Sequence, residues 1–214
     1  ELVIEKTAVS KKIKNLVSKI KIPVLILGAG SGIGKELLNI LKHNKKVPII
    51  ATHNVNKIQI KQNNIKILKL SLNTNFKILD KVLKKYNNLR VYYFASPKID
   101  INKQSLIDKK KYKFFYIDCP KKILWTLKKK KKYVEFFYPS TIFINTNIIS
   151  SYVSTKLKGE KMLSNEIDNN TKINVLRMDK INTKQNLSLI DQKLPNFIQK
   201  INKEKKYQNK IFFL

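Results

Sequence analysis

From Pro23 onward the chain alternates short apolar runs with amphipathic stretches, and this pattern predicts most of its elements. Apolar runs lie at 24–27, 48–51, 65–70, 90–95, 134–138 and 173–177 and read as strands. Between them, residues 32–43, 74–86 and 151–167 place apolar side chains three or four apart, the spacing of a single helix face. The stretch 105–131 also reads as helical, with Pro120 expected to kink or split it, because proline brings no N–H and its ring crowds the preceding turn. Residues 187–203 are predicted helical, and 211–214 either a strand or a cut end. Strand followed by helix, repeated, implies an α/β domain with a mainly parallel sheet covered on both faces. Ahead of it, residues 1–22 set Ile13, Leu16, Val17 and Ile20 at helical spacing among basic residues, as a leading helix or an interdomain linker would. No internal repeat or Gly/Ser linker divides 23–185, so residues 23–214 are read as one domain.

Length and charge narrow this picture. A chain of 214 residues can bury one sizeable core but is short for a large two-domain enzyme. The single cysteine makes no internal disulfide and points to a reducing, cytoplasmic compartment. No signal peptide is visible, and no apolar run approaches the roughly 20 residues that span a bilayer, so membrane insertion is not expected. A start at Glu1 suits an excised or processed piece. The net charge of +31 would ordinarily suggest a polyanionic partner. Only Arg90 and Arg177 are arginines, however, and Lys, Asn and Ile supply 96 of the 214 residues. Lysines spread this widely form a solvated surface, so no specific nucleic-acid site is expected, and the run 128–132 reads as an exposed helix end.

The strongest local signal is Val24-Leu25-Ile26-Leu27-Gly28-Ala29-Gly30-Ser31-Gly32-Ile33-Gly34-Lys35-Glu36-Leu37-Leu38. An apolar strand enters a glycine-rich turn and leaves it as an amphipathic helix, the context in which such a turn cradles a dinucleotide. Gly28, Gly30, Ser31, Gly32, Ile33 and Gly34 are therefore candidate cofactor ligands, with pyrophosphate against the N–H groups of the helix start. The next strand ends in Thr52-His53-Asn54, with Lys57 soon after, and carries no acidic residue to hold ribose hydroxyls. That absence leads to an expectation of NADP(H) over NAD(H), with Thr52, His53 and Lys57 meeting the extra phosphate.

A second constellation follows. Tyr138-Pro139-Ser140-Thr141 closes a strand, and Tyr152-Val153-Ser154-Thr155-Lys156 opens a helix. Positions 152 and 156 share a helix face. A carbonyl reduction needs a proton donor beside the developing alkoxide, and an ammonium near a phenol lowers its pKa from about 10. Tyr152 is thus the candidate acid, Lys156 its electrostatic partner and ribose anchor, and Ser140 or Thr141 the hydroxyl that orients the carbonyl. One cysteine and the separated His43 and His53 make no metal-site pattern, and no metal is expected.

Together these motifs resemble the short-chain dehydrogenase/reductase family over roughly residues 23–185. The family's TGxxxGxG turn is matched by residues 27–34 with Leu27 in place of threonine, and its active Ser, Tyr and Lys fall on Ser140 (or Thr141), Tyr152 and Lys156. The segments around 91–99, 137–141, 152–160 and 176–185 are similar to a divergent branch carried behind MaoC-like hot-dog dehydratase domains. The resemblance implies a Rossmann-like doubly wound domain and reduction of a small-molecule carbonyl, including a carrier- or CoA-linked 3-oxoacyl thioester. It also implies that residues 1–22 are the linker from an upstream dehydratase domain, that the chain self-associates through the helices after the fourth and fifth strands, and that Ala95 and Ser96 line the cofactor channel; Thr183, just beyond the last strand, either contacts the nicotinamide carboxamide or turns the chain.

Several departures matter. Phe94-Ala95-Ser96-Pro97 replaces the family's Asn-Asn-Ala-Gly, Ser71 stands where an acidic residue is expected, and the catalytic asparagine has no match near 116–119. A domain that binds cofactor without turnover is therefore one alternative reading. Another is an epimerase or dehydratase that oxidises a nucleotide sugar transiently, although little chain follows residue 185 to form a sugar-binding region. Asp118 and Cys119 read as structural residues at the Pro120 kink, with a substituted proton relay or a reactive thiol as the alternative. Arg177, at a strand end, reads either as fixing the loop 179–185 or as shaping the cofactor site.

Overall fold

The six apolar runs form the strands of one parallel sheet. The computed structural model describes residues 8–74, 76–97, 106–130, 133–145, 150–179, 181 and 195–214. Its strands are β1 (Val24–Leu27), β2 (Ile49–His53), β3 (Ile65–Lys69), β4 (Asn88–Tyr93), β5 (Tyr133–Thr141) and β6 (Thr171–Met178). They are ordered β3-β2-β1-β4-β5-β6, each pair parallel. The chain therefore winds outward from β1 in one direction and from β4 in the other, the doubly wound Rossmann-like arrangement. The crevice beyond the carboxyl ends of β1 and β4 is where such sheets receive ligands.

Eight helices among the described residues cover the two faces: α1 (Lys11–Ser18), α2 (Gly32–Leu41), α3 (Phe76–Lys85), α4 (Leu106–Lys113), α5 (Cys119–Lys128), α6 (Ser151–Ser164), α7 (Phe197–Lys203) and α8 (Lys205–Phe212). Period-two alternation divides each strand between two cores. Val24, Ile26, Tyr92 and Phe137 pack with α1, α2, α7 and α8, while Leu25, Leu27, Val91, Tyr93, Phe136 and Tyr138 pack with α3, α4, α5 and α6. Burial on both faces explains why β1 is apolar at every position. None of the described helices is long and apolar enough to cross a membrane.

Within the leading segment, Lys11–Ser18 form α1, which contributes to the first core through Ile13 and Val17. Ser10 caps α1 by accepting from the Ile13 N–H, and the buried Asn44 amide donates to the carbonyls of Val17 and Ile20 at its other end. At the far terminus the strand alternative for 211–214 is overturned, because Ile211 and Phe212 belong to α8 and bury with the first core. Its partner α7 is tied to α2: the half-buried Glu36 carboxylate accepts from the backbone N–H groups of Phe197 and Ile198, and desolvation raises its pKa. Beneath the sheet Arg90 and Glu135, opposite each other on β4 and β5, form a buried ion pair, with Phe213 stacked on the guanidinium at 4.9 Å.

The Pro120 stretch neither breaks nor simply bends. Pro120 lies in the first turn of α5, and the preceding residues, Phe114–Asp118, wind as one π-helical turn. Lacking an N–H, Pro120 leaves the Tyr116 carbonyl without its ordinary helical donor. The Cys119 N–H goes to Phe114, which frees the Phe115 carbonyl as well. Two buried phenols supply the donors: Tyr138 to the Tyr116 carbonyl at 3.0 Å and Tyr93 to the Phe115 carbonyl at 2.6 Å. Helix α6 reaches this turn only because Gly159 has no side chain. A Cβ there would lie 2.5 Å from both the Tyr116 carbonyl oxygen and the Tyr138 hydroxyl.

Candidate active site

The glycine turn is held by its neighbours as much as by its own freedom. Gly28 (φ 87°) and Gly32 (φ 53°) occupy left-handed conformations that disfavour side chains. A Cβ on Gly28 would also meet the Phe94 carbonyl carbon at 2.8 Å, because the turn lies directly against the end of β4. Gly30 gives way to the chain around His53 and Asn56, and Gly34 lets α2 close on the Gly28 carbonyl. Thr52 fastens the turn twice: its hydroxyl accepts from the Gly28 N–H at 3.2 Å and its carbonyl from the Ala29 N–H at 2.7 Å. Ser31, at the N-cap of α2, makes no side-chain capping bond, so the first-turn N–H groups of that helix are open toward the cleft.

A cleft of about 490 Å³ runs from this turn across the carboxyl ends of the strands. Gly28, Gly30, Ser31, Gly32, Ile33, Gly34, Thr52, His53, Ala95 and Ser96 line it, and so do Ser140, Thr141, Tyr152 and Lys156. The two sequence constellations therefore share one cavity. Thr183 lies outside the described residues. Asp179 lines the cleft too, held by Lys200 at 2.7 Å, which ties the end of β6 to α7.

Within the cleft the catalytic candidates differ from expectation in their electrostatics. Burial pushes the Tyr152 phenol up to about 12, opposed by a hydrogen bond shared with Thr141. Burial pulls the Lys156 amine down to about 7, with Glu160 acting the other way. The predicted lowering of the phenol by its lysine neighbour is thus replaced by desolvation of both groups. Lys156 donates to the Pro139 carbonyl at 2.5 Å and lies over the rings of Tyr116 (4.0 Å) and Tyr138 (4.7 Å). The choice between strand-end hydroxyls also sharpens. Thr141 bonds Tyr152, whereas the buried Ser140 hydroxyl has no partner among the described residues.

Other candidates fall away from the cleft. Arg177 grips Glu160 through Nε and Nη2 and reaches Asn145, fixing α6 and the strand-end loop. Cys119 is buried and its thiol is pushed up to about 11, which removes thiolate chemistry near neutrality. Asp118 pairs with Lys113 at 3.1 Å. In the lysine run, Lys128 bridges Glu166 and Asp168, while Lys131 and Lys132 lie outside the described residues. Sequence reasoning missed Tyr116, whose hydroxyl lies 2.6 Å from Ser96 Oγ. Its signal was Pro120 four residues on, which marks the Tyr116 carbonyl as needing a donor from outside the helix.

No protein-family profile matches the chain, and no curated protein matches it in sequence. Solved structures do match in fold. A short chain dehydrogenase from Burkholderia cenocepacia in complex with NADP aligns with TM-score 0.64 and 10% identity, over 84% of this chain and 79% of that one. The Bordetella bronchiseptica enzyme WbmH in complex with NAD+ aligns with TM-score 0.59 and 14% identity, over 78% and 59% of the two chains. UDP-glucuronic acid 4-epimerase from Bacillus cereus in complex with NAD aligns with TM-score 0.58 and 19% identity, over 74% and 56%. The chain thus spans under two thirds of the length of WbmH and of that epimerase.

These matches correct the expectation of NADP(H). NAD is the bound nucleotide in WbmH, in the Bacillus epimerase, in a Brucella ovis UDP-glucose 4-epimerase and in a Leptospira borgpetersenii short chain dehydrogenase, against NADP in the Burkholderia protein. The physical reason lies at the end of β2. Thr52 is buried beneath the turn, its hydroxyl accepting from the Gly28 N–H, and Lys57 is not among the cleft-lining residues. Lys156, on α6, is the lysine that lines the cleft among the described residues, and no lysine among them lines it beside the end of β2. At 10–19% identity, what these proteins share with the chain is the doubly wound fold.

Proposed function

We propose that the chain is an NAD(H)-dependent oxidoreductase acting on a carbonyl/alcohol pair. The observation that carries this reading is the single cleft joining the glycine turn to Thr141, Tyr152 and Lys156. The residues fit a dinucleotide: left-handed Gly28 and Gly32, the uncapped start of α2 for phosphate, and Leu70–Asn73 with His53 and Asn54 around the adenosine end. When bound, the nicotinamide supplies or accepts the hydride. Tyr152 gives its phenolic proton to the substrate oxygen in reduction and takes it back in oxidation. Thr141, already bonded to Tyr152, orients that oxygen. Lys156 holds the ribose and, while protonated, favours the phenolate. A phenol near 12 and an amine near 7 are poorly poised alone, so their exchange of protons depends on contacts made on binding.

A carrier- or CoA-linked 3-oxoacyl thioester is the finer substrate proposal. A second reading, transient oxidation of a nucleotide sugar, is supported by the presence of UDP-sugar 4-epimerases among the fold matches. Both readings are tested by titrating the protein with NADH and NADPH, then screening ketones, 3-oxoacyl thioesters and UDP-sugars. NADH is expected to bind the more tightly. Tyr152→Phe is expected to lower kcat by roughly 10²–10⁴-fold while leaving nucleotide affinity in place. Unchanged turnover in that variant would remove the proposed acid, and failure to bind either nucleotide would end the enzymatic reading. UDP-sugar interconversion without net NADH consumption would favour the second.

A further inference from the structure

Tyr116 touches three walls of the cleft at once. It is buried at the π-helical turn, and its hydroxyl lies 2.6 Å from Ser96 Oγ on the segment that follows β4. The face of its ring lies 4.0 Å from Lys156 Nζ, and its ring meets that of Tyr152 edge-on, with centroids 5.6 Å apart. Tyr138 presents a second ring to Lys156, and Tyr138 and Tyr116 are themselves joined through the Tyr116 carbonyl. We propose that Tyr116 is a positioning residue for the active site, its ring seating the Lys156 ammonium and its hydroxyl fixing Ser96 at the mouth of the cofactor channel. This assignment rests on the hydride-transfer reading above.

The surroundings of Lys156 make a ring face consequential. The amine is buried, and besides the Pro139 carbonyl its stabilising neighbours are two π faces and one carboxylate. That carboxylate, Glu160 on α6, is engaged by Arg177 through Nε and Nη2. The remaining titratable groups packed on Lys156 are the phenols of Tyr116 on the π-helical turn and Tyr138 on β5, and Tyr152 on the same helix lines the same cleft. A ring face attracts an ammonium through its quadrupole, and the attraction strengthens as water is excluded. With burial holding Lys156 near 7, the loss of one face moves its charge out of the neutral range.

Ring and hydroxyl are separable. Tyr116→Phe keeps the face and loses the bond to Ser96, whereas Tyr116→Leu loses both. The readout is the melting temperature between pH 5 and 10 for each chain, taken as the difference from the same chain carrying Lys156→Met. Below the folded pKa the amine is charged in both states and the difference is flat. Between about 7 and the unfolded value near 10.4 the unfolded chain binds the extra proton, so stability rises with pH. The onset of that rise marks the Lys156 pKa and needs no ligand.

Tyr116→Phe is expected to keep the wild-type onset, with NADH affinity reduced a few-fold through Ser96. Tyr116→Leu is expected to move the onset down by roughly half to one and a half pH units. Tyr116→Met, which fills the space with a flexible apolar chain, should repeat that shift if the leucine variant folds poorly. An onset unchanged in both ring-deleted variants would overturn the proposal. Because the melting series contains no nucleotide, it is decided whether or not NADH binds, whereas the titration of the wild-type chain decides the oxidoreductase reading.

Discussion

Gly159→Ala tests how the helix carrying Tyr152 and Lys156 is seated. A methyl group at this position would lie 2.5 Å from the Tyr116 carbonyl oxygen, 2.5 Å from the Tyr138 hydroxyl and 3.2 Å from Tyr138 Cζ. One of these atoms is backbone, and the ring to which the others belong is enclosed in the second core. Relief requires α6 to lift or the Tyr138 bond to the Tyr116 carbonyl to open. Overpacking of this kind costs about 1–3 kcal/mol, and losing a buried hydrogen bond adds roughly 1 kcal/mol. Alanine returns about 1 kcal/mol through its better helix propensity. The net expectation is a destabilisation of about 1–3 kcal/mol, which for a chain of this length lowers the melting temperature by roughly 2–12 °C. Circular dichroism melts measure it. Tyr138→Phe removes one of the two close oxygens, so Gly159→Ala should cost at least about 0.5 kcal/mol less in that background. A substitution that raises the melting temperature, or costs the same in both backgrounds, would refute the seating described here.

Two further outcomes follow from the buried polar groups. Glu135→Ala leaves the Arg90 guanidinium without its carboxylate beneath Phe213 and is expected to destabilise by roughly 3–5 kcal/mol in denaturant unfolding, whereas replacing both partners with apolar residues should cost far less. Thr141→Val removes the bond that opposes the upward shift of Tyr152, so kcat should fall by roughly 10²–10³-fold, while Ser140→Ala, which removes an unpartnered hydroxyl, should change turnover much less. Equal losses in these two variants would assign the carbonyl-orienting role to neither hydroxyl alone.

The sheet was legible because its strands are buried on both faces, and continuous apolar runs such as 24–27 have no other economical arrangement in a chain of strands and helices. The glycine turn was legible for the same reason as the fold: Gly28, Gly32 and Gly34 each answer a backbone requirement that only a missing side chain meets. What escaped were contacts between distant residues. The π-helical turn needs Pro120 to free one carbonyl and phenols from β4 and β5 to reclaim two, so neither segment shows it alone. The lowering of the Lys156 pKa was not legible because spacing places the lysine near Tyr152 but says nothing of how dry the site is. Likewise the Thr52 hydroxyl looked available for a phosphate, but the sequence does not show that the side chain is buried beneath the glycine turn and bonded to Gly28.

That bond constrains any attempt to retarget the nucleotide. Substituting Thr52 with a cationic side chain would release the Gly28 N–H and loosen the loop on which the pyrophosphate depends, so gained charge would be set against lost affinity for every dinucleotide. Asn54, one position beyond the strand, exposed and lining the same cavity, offers a site where selectivity can be rewritten while the loop beneath it keeps its shape.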